Sequence, residues 1–587
     1  MSNRRPGKTK FWRLSLIAFC LTLPPTVRAK TVENEIGRKL DEYLSRIEKF
    51  GFSGAVMAVK DGAVLLSKGY GWANRQAKIR FTPETVCSIG SITKQFTAAG
   101  ILKLEMQGKL QVNDPIGKYL PDVPADKRGI TIHHLLTHSG GLRGDFGGRD
   151  SDPILRDELV RLVLRAPLES VPGERFEYSN EGYSLLGAVI ERVSGNGYER
   201  YLKDNIFQPA GMMQTGYVLA KWEQNALAHG FLDGNDWGTI TGKGWKEEGP
   251  GWYLKANGGI HSTPGDMYKW HLALQGDLIL SPAAKAKYFK PYIAEGPRAQ
   301  SHYAYGWAVF TTPRKTRLIG HNGGNGVFAA DFRRYVDENV MLYAHSNAEV
   351  SAIDLTEALD AVLFGGDLAM PPKTVTFDAQ QLAKYSGRYR LQSGDLLELN
   401  VAGSGLAVLG NSPKLFAMLN RLVLPGDSRF SKLEERTKEA IEAAAGGNYA
   451  AVQKAFGGAM PLEQIRASEE EAWQRRRQNL GEFKGVDLLG TVRGGPGMQV
   501  YARLNFAGGS QLVRYGWEEG GLLAGVRVMQ KMPEKVFMPV SATEFVTFNL
   551  RMPDPARLRF TVDGKGMISR LTLASESGDL IADRLTP

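Results

Sequence analysis

The chain reads as an α+β protein, because a strand hairpin precedes a series of helical patterns and strand-like segments return after them. Ser53 to Lys60 and Ala63 to Ser67 are apolar runs around Asp61-Gly62, and an Asp-Gly pair between such runs is the strongest short-range hairpin signal. Helical spacing occupies Glu35 to Lys49, Thr131 to Thr137, Pro153 to Leu164 and Gly182 to Ser194. The last of these sets Leu185, Leu186, Val189, Ile190 and Val193 on one face and stops at Gly195. Strand-like runs follow at Leu318 to Phe332 and Asn339 to His345. One antiparallel sheet against a helical layer satisfies that order.

At 587 residues the chain exceeds a single ordinary domain. Its net charge of +11 is concentrated at the start: residues 1–29 hold six basic side chains and no acid, which leaves +5 for the remainder. Basic and acidic residues are interspersed thereafter, so nothing in the composition demands a nucleic-acid partner and none is expected. Residues 1–29 read as a secretory signal, with a basic start, an apolar run from Leu14 to Leu23, and Val27-Arg28-Ala29 as a cleavage site. The run is short of the ~20 residues that span a bilayer, so export to a periplasmic or extracellular location is expected, with no stable membrane span after removal; a retained transmembrane anchor is the alternative. Only Cys87 would then remain, as a buried residue or a reactive thiol near Ser91.

Pro371-Pro372 divides the chain into residues 30–370 and a β-rich remainder. Short alternating segments from Tyr385 to Val408 suggest a sheet or small barrel. A charged helical stretch runs from Lys432 to Leu480, and strands resume at Val500 to Phe506, Gln511 to Trp517, Val536 to Leu550, Arg557 to Val562 and Met567 to Leu573. Leu422 to Phe430 weakly echoes Phe537 to Phe545. Two successive β modules would explain the echo. A barrel over 371–430 and 530–587, interrupted by a mixed helix and strand insert at 431–529, better explains why helices appear only in between.

Three motifs carry chemistry. Ser91-Ile92-Thr93-Lys94 opens a helix marked by Ile92, Phe96, Ala99, Leu102 and Leu104 and ended by Gly108, an amphipathic pattern. A serine hydroxyl needs a base within hydrogen-bond reach, and residues three apart on a helix share a face, so the spacing places the Lys94 amine beside the Ser91 oxygen. Tyr178-Ser179-Asn180 precedes the Gly182 helix; in an extended segment its first and third side chains face one side. A phenol whose pKa is lowered by an ammonium could relay the serine proton, while the plainer expectation has Asn180 capping the helix. His321-Asn322-Gly323-Gly324 lies in a strand-like run, where glycines often mark close approach of a ligand to backbone.

In this order, Ser91-x-x-Lys94, Tyr178-x-Asn180 and His321-x-Gly323 resemble the three motifs of penicillin-recognising serine hydrolases. Ile130 to Leu142, Pro172 to Tyr178, and Asn257 to Thr263 followed by Asp266 are similar to the branch holding class C β-lactamases, D,D-peptidases, D-aminopeptidases and β-lactamase-like esterases. The resemblance covers about residues 35 to 365 and implies a serine β-lactamase/D,D-peptidase-like catalytic domain. It implies acyl transfer from Ser91, with Lys94 and Tyr178 managing the proton, Asn180, His321 and Gly323 lining the substrate site, and the Ser91 and Gly324 N–H groups binding the oxyanion. The C-terminal strands resemble the lipocalin-like barrels appended to some members of the family.

No cofactor or metal is implied. His134 and His138 are four apart, but Leu135 stands where a metalloprotease needs Glu. Many β-lactamases carry Lys-Thr-Gly where this chain has His-Asn-Gly, which removes a fixed cation for a substrate carboxylate. Arg333 or Arg334 could restore it. The expectation is an exported serine hydrolase acting on a small-molecule or peptide substrate, of D-amino-acid peptidase or esterase type; the alternatives are a β-lactamase and a non-catalytic penicillin-binding sensor or envelope scaffold.

Overall fold

The computed structural model describes residues 34–143, 150–232, 235–296, 299–347, 352–410, 412–419, 422–457, 462–494, 497–518, 521–529, 535–550, 556–574 and 579–585. The expected signal at 1–29 lies outside the described residues, among which no helix is long and apolar enough to cross a membrane.

An eight-stranded antiparallel sheet organises the N-terminal half, in the order Ala63–Tyr70, Gly54–Lys60, Val340–Ser346, Ala329–Tyr335, Arg317–Gly324, Ala308–Thr311, Ser301–Tyr303, Ile293–Ala294. Its first hairpin turns at Asp61 and Gly62, both with φ near +49° and +76°, the backbone that an Asp-Gly pair tolerates in a tight primed turn. The run expected from Leu318 to Phe332 is two strands rather than one. Asn325 Oδ1 accepts from Val327 N at 3.2 Å and Phe328 N at 2.8 Å, and Gly326 takes φ +82°, so a side-chain-stabilised turn reverses the chain between them.

Helices cover both faces. Glu35–Glu48 and Ala352–Phe364 pack on one, with Leu40, Leu44, Leu355 and Leu359 fully buried against Val56, Ala58 and Leu342. Thr93–Met106, Asn180–Ser194 and Pro264–Gln275 build the other, around Ile92, Phe96, Leu186 and Trp270. The helix Thr93–Met106 is not the amphipathic surface helix its periodicity suggested, since every residue from Thr93 to Leu102 is buried. Its polar side chains find internal partners, apart from Gln95 Nε2, which is buried without one among the described residues. Thr97 Oγ1 contacts Tyr198 Oη and the Ala256 carbonyl, both at 2.6 Å, and Gln95 Oε1 accepts from Trp270 Nε1 at 3.2 Å.

In the C-terminal half a closed antiparallel barrel joins Gly387–Leu391, Leu396–Ala402, Gly405–Gly410, Lys535–Pro539, Glu544–Val546, Arg557–Val562, Ile568–Ala574 and Leu580–Arg584. Tyr389, Leu397, Leu399, Phe545 and Phe560 fill it. Between its third and fourth strands lie four helices, Pro413–Leu419, Ser431–Ala445, Tyr449–Ala455 and Leu462–Leu480, and a four-stranded sheet spanning Phe483–Gly494 to Leu523–Met529. Trp473 and Trp517 are buried between these layers. Leu422 to Phe430 is not a barrel strand; Val423 bridges Thr491 of the inserted sheet, so the sequence echo marks no repeated module. Phe548 beside the barrel packs on Phe50, ring centroids 5.7 Å apart, on the sheet face covered by the Glu35–Glu48 helix.

Candidate active site

A 3₁₀ turn, Gly90–Ile92, carries Ser91 and leads into the Thr93–Met106 helix. Gly90 sits at φ +52°, and a Cβ built there would lie 2.4 Å from Gly324 N. One on Gly323 would lie 2.1 Å from Ile89 O and 2.6 Å from Ser91 N. These glycines are needed because backbone meets backbone: the close neighbour is the turn holding Ser91, where the sequence alone pointed to a ligand. Pairing with Ala308–Thr311 ends at Gly320, so His321 to Gly324 run on beyond that neighbour as a local sheet edge.

The Lys94 side chain is wholly buried. Its Nζ lies 3.1 Å from Ser91 Oγ, 2.8 Å from Asn180 Oδ1 and 2.8 Å from the Asn257 carbonyl. It also stands 4.7 Å from the Tyr178 ring centroid. Burial pulls its pKa down to about 7, against the opposing pull of the Glu181 and Asp150 carboxylates. In the neutral amine two N–H bonds serve Asn180 and Asn257, which leaves the lone pair for the Ser91 hydroxyl.

Asn180 is free for this task because it is not the cap. Ser179, extended at φ −127°, ψ 117°, caps the Asn180–Ser194 helix by accepting from Gly182 N at 3.1 Å. The same extended residue sends Tyr178 and Asn180 to one side. His138 positions the segment: its Nδ1 accepts from Ser179 N at 3.0 Å, its carbonyl accepts from Glu177 N at 2.7 Å, and its ring lies 4.2 Å from that of Tyr178. Burial pushes the Tyr178 pKa up, opposite to the expected lowering, and outweighs the opposing influence of the nearby Ser91 hydroxyl. About 36% of the residue is open to solvent, which tempers that push without reversing it. Tyr178 is therefore a phenol, not a phenolate, at neutral pH.

His321 donates from Nδ1 to the Asn322 carbonyl at 2.6 Å, and its Nε2 lies 2.9 Å from Tyr303 Oη, a hydroxyl able to donate to the neutral ring. Burial and the Lys94 charge hold its pKa down at about 4. Neither arginine supplies the missing cation. Successive strand residues face opposite sides. Arg333 points to the Ala352–Phe364 helix, bonded to Asp331 at 2.7 Å and Asp360 at 2.9 Å. Arg334 lies on the other face but bonds His271, well along the strand from Gly324.

Ser91, Asn180, Asn257, Gly324 and Asp150 line a narrow pocket of about 40 Å³, and no lysine, arginine or histidine is among its described lining residues. That volume admits little more than a water or a carbonyl group. Sequence reasoning missed Asn257, whose backbone rather than side chain does the work, and Asp150, which belongs to no motif. Burial raises the Asp150 pKa and Lys94 opposes the rise. Cys87 is buried with its thiol pKa pushed up, so it is no reactive nucleophile. His133 pairs with Tyr305 Oη at 2.8 Å and His134 closes a capping box with Thr131; among the described residues no three His, Cys, Asp or Glu side chains are grouped to hold a metal.

Residues 45–365 match the family profile described as Beta-lactamase. Penicillin-binding protein 4* of Bacillus subtilis strain 168 is 29% identical over 381 residues, covering 61% of this chain and 84% of that protein. The putative penicillin-binding protein PbpX of the same organism is 33% identical over 285 residues, 48% of this chain and 67% of that one. Among solved structures, the octameric penicillin-binding protein homologue from Pyrococcus abyssi aligns with a TM-score of 0.50 at 21% identity, over 93% of this chain and 100% of that chain, a likeness of fold.

The contact between the Ser91 turn and the strand end is testable by adding one methyl group. Gly323→Ala should lower stability by about 1–3 kcal/mol, as overpacking typically does, measured by urea denaturation. Unchanged stability would contradict the backbone contact.

Proposed function

This chain belongs to the beta-lactamase family of serine hydrolases, and on that premise we propose that it is an exported enzyme working through a Ser91 acyl-enzyme on a D-amino-acid peptide, amide or ester. The observation that carries the reading is the buried Lys94 amine, 3.1 Å from Ser91 Oγ and shifted to about pH 7. Neutral Lys94 takes the Ser91 proton as Oγ attacks the substrate carbonyl. The N–H groups of Ser91 and Gly324 receive the oxyanion, where each such donor typically contributes about 2.7–4 kcal/mol. Tyr178 acts as proton donor towards the leaving group, in keeping with its raised pKa, and Asn180 holds both Lys94 and the substrate. The Lys94 ammonium returns its proton to the Tyr178 phenolate, and the neutral amine then takes a proton from the water that attacks the Ser91 ester and passes it to Ser91 Oγ as the acid leaves.

The charge pattern favours this substrate class over β-lactams. His321 is neutral, both candidate arginines are engaged elsewhere, and the pocket offers the Asp150 carboxyl. With Lys94 neutral, an acid on a pocket wall whose described lining residues include no lysine, arginine or histidine suits a free substrate amine better than a substrate carboxylate. Export rests on the pattern of residues 1–29.

Lys94→Ala should lower kcat/KM on a p-nitrophenyl ester by about 10²–10⁴-fold, with Ser91→Ala inactive and unlabelled by a fluorophosphonate. Because the amine must be neutral to act, kcat/KM of the native enzyme should rise about tenfold per pH unit below its pKa and level off above about 7. Retention of most activity by Lys94→Ala, or labelling of another residue, would reject the mechanism.

A panel of D-amino-acid amides, D-Ala-D-Ala peptides, p-nitrophenyl esters and nitrocefin addresses the substrate. Amides or esters with a free amine should be preferred to nitrocefin, and Asp150→Asn should reduce that preference by about tenfold, the worth of some 1.4 kcal/mol. Efficient nitrocefin hydrolysis would favour a β-lactamase. A long-lived adduct with no turnover on any of the panel would identify a binding sensor.

A further inference from the structure

A second cavity, of about 420 Å³, opens at the far end of the same sheet from Ser91, between the strands Arg317–Gly324 and Ala329–Tyr335 and the helices Pro264–Gln275 and Pro282–Tyr288. Arg317, Arg334, Lys285 and His271 line it together with apolar walls that include Leu274 and Phe289. Arg334 is only 7% exposed. Its Nε donates to His271 Nδ1 at 3.3 Å and its guanidinium lies 5.2 Å from the Phe289 ring centroid, but among the described residues no carboxylate stands within 4.0 Å of it. A buried cation is ordinarily matched by an anion, since isolation of the charge from water is costly. Arg333, its chain neighbour, shows the ordinary arrangement with Asp331 and Asp360. Lys285 at the rim is already paired with Asp277 at 2.7 Å, so the uncompensated charge belongs to Arg334 and the exposed Arg317.

We infer that this cavity binds a small organic oxyanion, a carboxylate or phosphate whose charged group pairs with Arg334 and Arg317 and whose apolar part rests on Leu274 and Phe289. Arginine's planar fork suits either headgroup in a bidentate bond. The volume falls within the range of small-molecule sites. Burial pushes the Arg334 pKa down to about 10 against the opposing pull of Tyr288, with Arg317 adding to the fall, and burial with the Arg334 charge holds His271 down at about 3, so the histidine enters as a neutral acceptor and brings no competing charge. The site does not depend on the chemistry assigned to Ser91.

Calorimetric titration of the full chain with phenyl phosphate, benzoate, inorganic phosphate and phenol tests this. Phenyl phosphate or benzoate should bind in the micromolar to millimolar range, weaken with added salt, and outbind both inorganic phosphate and phenol; the tighter of the two identifies the headgroup. Arg317→Ala, an exposed change, should weaken binding about tenfold, a loss of roughly 1.4 kcal/mol, and Arg334→Gln should abolish it. No binding of either organic anion by about 10 mM, equal binding of phenol, equal binding of inorganic phosphate, or full affinity in Arg317→Ala would overturn the inference.

Discussion

A lysine amine with no exposed surface, held by one hydroxyl, one carboxamide and one backbone carbonyl, is the constraint on which this molecule's chemistry depends. Lys94 occupies that position because the first turns of the Thr93–Met106 helix are buried on every face, where Thr97 Oγ1 and Gln95 Oε1 find internal partners. Burial then removes the water that would keep the amine charged. One arrangement thus supplies both the location of the base and its protonation state.

Around that amine, most of the supporting parts are backbone or capping features. The Ser91 turn touches the strand end through Gly90 and Gly323, Ser179 takes the helix cap and so releases Asn180, and His138 fixes the Tyr178 segment through a backbone N–H. Substituting any of these alters no reacting atom, yet each sets the distance between groups that must meet. The same sheet carries its cations away from the pocket. Strand alternation neutralises Arg333 on the opposite face, and distance along the strand keeps Arg334, which lines the second cavity, away from the acid-lined cleft.

Much of this was legible from residue order. The three motifs, the Asp-Gly hairpin and the helix running to Ser194 follow from spacing and turn chemistry, and the structure brings Ser91, Lys94, Tyr178 and Asn180 together. What escaped did so for physical reasons. Asn257 contributes a carbonyl, which every residue possesses, so no side-chain pattern could point to it. The direction of the Tyr178 shift depends on the balance of burial against charge, a property of packing. The facing of Arg333 and Arg334 needed the register of their strand, and the break at Asn325 within an apparently continuous run obscured it. In the inserted sheet the strand Phe483–Gly494 was hidden by register shifts at Phe483/Gly485 and Leu488/Gly490, which destroy a two-residue alternation.

The protonation state of Lys94 is the claim on which the rest turns, and it can be observed without substrate. Nitrogen NMR of the protein labelled at lysine Nζ, assigned by comparison with Lys94→Arg, would follow the amine through a pH titration. A midpoint near 7 is the predicted result. A midpoint near the ordinary lysine value of about 10.4 would mean that the amine is charged at neutral pH, and that Ser91 has no base beside it.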